Sequence, residues 1–179
     1  MAEDRQRPAW ERVVLDVCAV LVVVMMAAIC AQVLFARLDV NPVARFPDEL
    51  FLVGDAITLN GLLDFQWHLL AAIGLLPAAL VFLRDGHVRV DFLYARMPPR
   101  GRAAVDLLGH LALAGPFLFV SLPAAWAFMM TAWTRGEGSR NDGLNDLWLV
   151  KATLPVGLGL LALALLVETV RLLRLSARR

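Results

Sequence analysis

VVLDVCAVLVVVMMAAICAQVLF, residues 13–35, is a run of 23 residues in which Asp16 is the one charged side chain. A helix needs about 20 apolar residues to cross the hydrocarbon core of a bilayer. Three further stretches, residues 63–83, 107–130 and 147–170, have that length. Because a helix satisfies its backbone hydrogen bonds internally, as lipid requires, the sequence predicts an all-α integral membrane protein with four transmembrane helices.

The composition supports a membrane class and argues against a nucleic-acid partner. Sixty per cent of the residues are hydrophobic, well above the about 45–50% of soluble proteins. The net charge of +1 leaves no basic excess to neutralise phosphates. Little chain lies outside the four stretches, so we expect one membrane domain over residues 1–179, surrounded by the lipid bilayer. The first stretch exceeds the about 7–15 apolar residues of a signal peptide, and we expect it to be retained.

The basic residues are distributed unequally between the two sides of the predicted bundle. Twelve of the 17 Lys and Arg residues lie in the N-terminal tail, in the loop of residues 84–102 or at the C-terminal end. Since Lys and Arg favour the cytoplasmic side, we expect both termini and this loop in the cytoplasm. The loop of residues 36–62 would then face outward.

The outward loop is acidic and contains a predicted short helix at residues 46–53. Pro47 suits the first turn of a helix, and Asp48 and Glu49 there favour the helix dipole. The apolar residues of this helix would lie on the membrane surface. Gly54 and Gly61 are expected to mark turns before the second span.

Prolines and small residues predict irregular, closely packed spans. Pro77 should weaken or kink the second span, and Gly115-Pro116 with Pro123 should bend the third. Small residues four positions apart allow another helix to come close. Two such pairs occur, Gly74 with Ala78 and Thr153 with Gly157.

The spans offer little chemistry. More than about one helical turn from each end, the sequence places Ser121 and, marginally, Gln32, but no carboxylate or lysine. Two histidines could share a haem only at similar depth. His68 and His110 should differ in depth by roughly 15–20 Å, given a rise of about 1.5 Å per residue and a core about 30 Å thick. The sequence therefore predicts no enzyme activity, no cofactor and no metal. A membrane anchor subunit of an oxidoreductase and a structural membrane protein stay as alternatives.

The most distinctive stretch is RDGHVRVDFLYARMPPR, residues 84–100. Asp85-Gly86 should end the second helix, and Pro98-Pro99 should lead into the third. Between them apolar residues alternate with charged ones, which predicts a short amphipathic segment between helices two and three, on the membrane surface. An ordinary basic loop is the alternative interpretation.

This stretch resembles the hallmark loop of the small membrane subunit of tripartite ATP-independent periplasmic (TRAP) transporters, the DctQ-like family. The matching features are a basic turn, His87, an aliphatic–basic–aliphatic run that ends in Asp91, an aromatic residue, and a proline-led third helix. The resemblance extends over about residues 13–173. The chain departs from the commoner pattern before the second span, where its longer loop ends in Phe65-Gln66-Trp67-His68.

The resemblance implies an accessory role in transport. In that family a large permease subunit carries the substrate and sodium sites, and a periplasmic solute-binding protein delivers the substrate, usually an organic acid. The small subunit packs against the large one in the bacterial inner membrane. We therefore expect both proteins as partners, with the acidic outer loops near the docking surface for the binding protein. The residues expected at the interface are Arg84, His87, Arg89, Asp91, Gln66, Trp67, His68, Gly74, Ala78, Thr153 and Gly157. A purely topological role is the alternative for the loop charges.

Overall fold

A computed structural model describes residues 8–86, Phe92 and residues 94–177, with side chains up to Arg174. Its helices confirm the predicted all-α membrane architecture. In the described part of the chain, four spans are long and apolar enough to cross a bilayer: Ala9–Arg37, Leu59–Leu83, Pro99–Arg135 and Trp148–Arg174. Each predicted stretch coincides with one of these spans, and most of the spans run several residues beyond the prediction.

The first span is a single helix, α1 (Ala9–Arg37), and it packs mainly against the second span. Two hydrogen bonds of the Gln32 side chain join the two spans. The Gln66 amide nitrogen donates to the Gln32 side-chain oxygen at 2.7 Å, and the Gln32 amide nitrogen donates to the Leu59 carbonyl at 3.4 Å. Amide groups that find partners in this way hold neighbouring membrane helices in register.

The second span is broken at Pro77, as predicted. Its first part, α2 (Leu59–Leu75), begins at Thr58, whose hydroxyl accepts the Gly61 N–H. Its second part is α3 (Ala78–Leu83). Asp85 then adopts a φ of 55°, and the Gly86 N–H bonds to the Val81 carbonyl at 2.9 Å. This left-handed ending confirms the predicted stop at Asp85-Gly86.

The third span changes helix type next to Pro116. It consists of α4 (Pro99–Gly109), a π-helical turn (His110–Ala114) and α5 (Gly115–Arg135). Pro116 has no N–H to donate to the preceding turn, and a π turn absorbs such an interruption of the hydrogen-bond ladder. The predicted irregularity at Gly115-Pro116 is therefore confirmed. Pro123 lies inside α5 without ending it.

The fourth span, α6 (Trp148–Ala177), is in contact with the second and third spans. Gly157 is buried at the break in the second span, and a Cβ atom there would lie 2.8 Å from the Leu75 carbonyl oxygen. The close packing predicted at Gly157 is therefore observed. Gly74 differs, because a Cβ atom there would meet nothing within 4 Å.

The outward loop contains two strands and not the predicted helix. The short helix predicted at residues 46–53 is wrong, because β1 (Ala44–Leu50) pairs antiparallel with β2 (Gly54–Ile57) in a hairpin. Leu52 and Gly54 have φ angles of 71° and 73°, which close a tight turn and cannot continue a right-handed helix. The turn predicted at Gly54 is confirmed, whereas Gly61 lies inside α2.

Between residues 86 and 94, in the segment that joins the second and third spans, the structure describes only Phe92. Tyr94–Arg96 forms one 3-10 turn before α4. His87, Arg89 and Asp91 lie outside the described residues, so the amphipathic segment stays a prediction.

Candidate functional site

The bundle has two polar ends, which we call the terminal end and the hairpin end. The terminal end holds the start of α1, the end of α3 and the end of α6. The hairpin end holds the hairpin and the interhelix loop, which we define as residues 136–147 between α5 and α6. Each end is held together by contacts between residues distant in sequence.

At the terminal end an ion pair joins the first and second spans. Glu11 is 3% exposed, and its carboxylate binds the guanidinium of Arg84. A buried carboxylate is stable only with such a partner. Arg84 was predicted to contact another subunit, and the structure shows its charge engaged within the chain. About half of its side chain, 51%, is still exposed.

The turn before α4 is fixed to the start of the third span. The Tyr94 hydroxyl donates to the Asp106 carboxylate at 2.6 Å. The Arg102 guanidinium donates to the carbonyls of Ala95 and Met97 at 2.8 and 3.0 Å. These contacts give the described part of the hallmark loop one defined position against α4.

The two histidines within the spans are held separately. The His68 Nδ1 atom lies 2.6 Å from the Asp64 carbonyl oxygen, toward the hairpin end. The His68 Nε2 atom is enclosed and has no hydrogen-bond partner among the described residues. The His110 Nδ1 atom lies 3.0 Å from the Thr169 hydroxyl, toward the terminal end. The described residues contain no group of three or more His, Cys, Asp or Glu side chains that could hold a metal ion.

At the hairpin end the interhelix loop is bound to the start of α2. The Leu144 N–H donates to the Asp64 carboxylate at 3.1 Å, and the Asn60 amide donates to the Asn141 carbonyl at 2.7 Å. A Cβ atom on Gly143 would overlap the Asp64 carboxylate, so only glycine fits at this position. The loop therefore covers the start of the second span.

The hairpin is bound to the same loop. The Asn145 N–H donates to the Leu52 carbonyl at 2.8 Å across the turn of the hairpin. Further along, Lys151 at the start of α6 forms an ion pair with Glu137. This hydrogen bond from Lys151 lowers the pKa of Glu137 below its usual range. We call the assembly of residues 41–60 and the interhelix loop the hairpin cap.

The hairpin cap contains a polar cavity of about 460 Å³ that is open to solvent. Three of its lining residues are charged, namely Arg45, Asp55 and Asp142. The others are mainly amides, hydroxyls and small residues: Asn41, Pro42, Val53, Gly54, Ala56, Thr58, Asn60, Ser139, Gly143 and Asn145. No feature of the sequence was interpreted as this cavity. The cluster of Gly, Asn and Asp at residues 136–146 was the available signal, since such residues favour tight loops.

The predicted interface residues do not share one surface. Trp67 is 60% exposed and lies on one exposed face of α2 with Leu63, Leu70 and Gly74. Gln66 lies on the side of α2 that contacts α1. Gly157 is buried inside the bundle, and the Thr153 hydroxyl donates to the Val150 carbonyl of its own helix.

A second, apolar groove lies between the third and fourth spans. It measures about 330 Å³ and is lined by Leu122, Pro123, Trp126, Met129, Pro155 and Val156. Each of the two helices contributes a proline to this groove.

Comparison with models of protein families shows which family the chain matches. The model of the DctQ component of tripartite ATP-independent periplasmic transporters matches residues 53–175. This match covers more than half of the chain, including the second, third and fourth spans. The chain belongs to the DctQ family. Comparisons with curated proteins and with solved structures found no match.

Family membership confirms the resemblance seen in the hallmark loop. As a DctQ-family protein, the chain is a small subunit of a TRAP transporter and a multi-pass membrane protein. The DctQ family is a family of transporter components and not of enzymes. The match begins at residue 53, so α1 and the whole of β1 precede it.

Proposed function

We propose that this DctQ-family protein is the scaffold subunit of a TRAP transporter in the bacterial inner membrane. It would support a large permease subunit that takes up an organic acid, driven by an ion gradient, with sodium as the expected ion. A periplasmic binding protein would deliver the organic acid. The family match over residues 53–175 is the observation that carries this proposal.

The polar groups within the spans support an accessory role. The amides of Gln32 and Gln66 bind each other, and His110 binds Thr169. A transporter that moves a solute by itself uses broken helices and polar groups near the middle of the membrane. Because these two polar pairs are each satisfied within the chain, we assign the solute pathway to the large subunit.

One exposed face of the second span is proposed to bind the large subunit. Trp67 and Gly74 are exposed on this face, and the space next to Gly74 is open. A glycine on an exposed membrane helix allows a neighbouring helix to approach closely. Ala78, four residues further on, would extend the same contact across the break at Pro77.

The proposed orientation places both termini in the cytoplasm and the hairpin cap in the periplasm. It rests on the excess of Lys and Arg at the terminal end, since basic residues are retained on the cytoplasmic side. A reporter active only in the periplasm, fused after Arg179, should be inactive and should become active when inserted at Asn141.

Reconstitution tests the proposed function. The chain, the large subunit and the binding protein are placed in liposomes, and uptake of a radiolabelled organic acid is measured with and without a sodium gradient. We expect uptake from the full set and none from the chain alone. Accumulation of the acid by liposomes that contain this chain alone would contradict the scaffold role.

A glycine pair tests the proposed interface. Gly74→Leu fills the open space on the second span, and Gly159→Leu is the matched control, since a Cβ atom at Gly159 also meets nothing within 4 Å. We expect Gly74→Leu to reduce co-purification of the large subunit and Gly159→Leu to leave it unchanged. Equal co-purification of both variants would assign the interface to another face.

A further inference from the structure

The cavity of the hairpin cap lies partly outside the residues that match the family. Asn41, Pro42 and Arg45 form one of its walls, and all three precede residue 53, where the family match begins. The opposite wall comes from the interhelix loop, which includes Ser139 and Asp142. Residues before the family match and residues within it therefore line the cavity together.

Hydrogen bonds between distant segments hold the walls of this cavity in place. The Leu59 N–H donates to the Asn41 side chain at 3.2 Å. The bonds from Asn60 to Asn141 and from Asn145 to Leu52 connect the loop to α2 and to the hairpin. A cavity that is formed before a partner arrives loses little conformational freedom on binding, which favours recognition.

The charges around the cavity favour a cationic guest. Asp55 and Asp142 are both exposed, and among the described residues neither carboxylate has a hydrogen bond or an ion pair. Arg45 carries the one positive charge in the lining, so the lining has a net charge of −1. A carboxylate-bearing solute would meet two like charges here, whereas a basic side chain would meet two acceptors.

We propose that this cavity receives a lysine or arginine side chain from the periplasmic binding protein when that protein docks on the transporter. The inference rests on the proposed function, which supplies the binding protein and the outward position of the hairpin cap. The large subunit is expected on the faces of the spans, while the cavity lies at the hairpin end and opens to solvent.

A pair of charge-neutralising variants tests the proposal in the assembled complex. The chain and the large subunit are placed in nanodiscs, and the Kd of the binding protein is measured at low and physiological salt. Asp55→Asn with Asp142→Asn removes the two cavity charges and preserves side-chain size. Asn tolerates the φ of 50° at position 142 as Asp does. Asp48→Asn with Glu49→Gln is the matched control, with the same charge change on β1 outside the cavity lining.

We expect the cavity variant to raise the Kd by about three- to tenfold at low salt, because each exposed charge contact contributes only a few-fold to affinity. The control variant should change the Kd less than twofold. Equal effects of the two variants would show a diffuse electrostatic attraction, and no effect of the cavity variant would show that the cavity is not occupied. Either result overturns the inference.

A third variant distinguishes a basic side chain from a free solute as the occupant of the cavity. Arg45→Gln makes the lining more negative, so a basic guest should bind at least as tightly. If Arg45→Gln instead weakens binding of the free organic acid to the complex, the cavity is a solute site and the inference is overturned.

Each variant is first checked for co-purification with the large subunit. If the wild-type complex binds no binding protein, the proposed function fails together with the inference. If the wild type binds but the variants do not differ, the inference alone fails.

Discussion

Replacement of Gly157 by alanine should destabilise the bundle measurably. The new Cβ atom would lie 2.8 Å from the Leu75 carbonyl oxygen and 3.1 Å from both the carbonyl carbon and the Cβ atom of that residue. Favourable contacts between heavy atoms lie at about 3.5–4.0 Å, so two helices must move apart by about half an ångström or more. Two of the three contacted atoms are backbone atoms and cannot rotate away. Insertion of a methyl group into such a site typically costs about 1–3 kcal/mol.

Gly159→Ala is the matched control on the same helix, since a Cβ atom there would meet nothing within 4 Å. Both substitutions gain the same intrinsic helix propensity, up to about 1 kcal/mol, so the difference between them isolates the packing clash. The free energy of unfolding is measured by denaturant titration in detergent micelles. We expect Gly157→Ala to be less stable than Gly159→Ala by about 1–3 kcal/mol. Equal stability within about 0.5 kcal/mol would refute the close approach of the fourth span to the break in the second.

Three further predictions concern the contacts within the chain. Replacement of Gln32 and Gln66 by leucine, singly and together, should give a coupling energy of about 0.6 kcal/mol and at most about 1.7 kcal/mol in an unfolding double-mutant cycle. The pKa of Glu137 is lowered in the folded state. Its ion pair with Lys151 therefore stabilises the folded state fully above the unfolded-state pKa of about 4.3, and this stabilisation is lost as the pH falls through the folded-state pKa. The Glu137→Gln variant should therefore have a lower Tm than the wild type at neutral pH. Its Tm should also decrease less than that of the wild type as the pH is lowered, and thermal unfolding measured from pH 7 to pH 3.5 checks both results. Gly143→Ala should release the interhelix loop from α2, and trypsin should then cleave after Arg140 faster than in the wild type.

The sequence predicted features that depend on covalent geometry or on length. Pro77 lacks an N–H, so the interruption of the second span follows from the residue itself. The spans follow from the length of apolar chain that a bilayer requires. The ending at Asp85-Gly86 follows from the tolerance of aspartate for positive φ, which Asp85 adopts. None of these features depends on which distant residue lies nearby.

The hairpin was missed because its stability depends on distant residues. Pro47 followed by acidic residues is a signal for a helix start, yet the turn at Leu52 is held by the N–H of Asn145. The same reason applies to the ion pair of Glu11 with Arg84, which joins residues 73 positions apart. Charges and turn residues were visible in the sequence, but the register that brings them together is set by how the helices pack.

The distribution of buried residues also bears on the need for a partner. Within an 18-residue apolar stretch of each span, only 6% of the residues of the first span and 22% of those of the fourth are buried. The ends of the bundle, in contrast, are joined by specific polar contacts that include Glu11 with Arg84 and Asp64 with Leu144. Fixed ends keep the four helices together while their apolar sides stay available to lipid or to another membrane protein. The proposed scaffold role would use this combination, because a scaffold must hold its own shape and still offer wide apolar surfaces to a membrane partner.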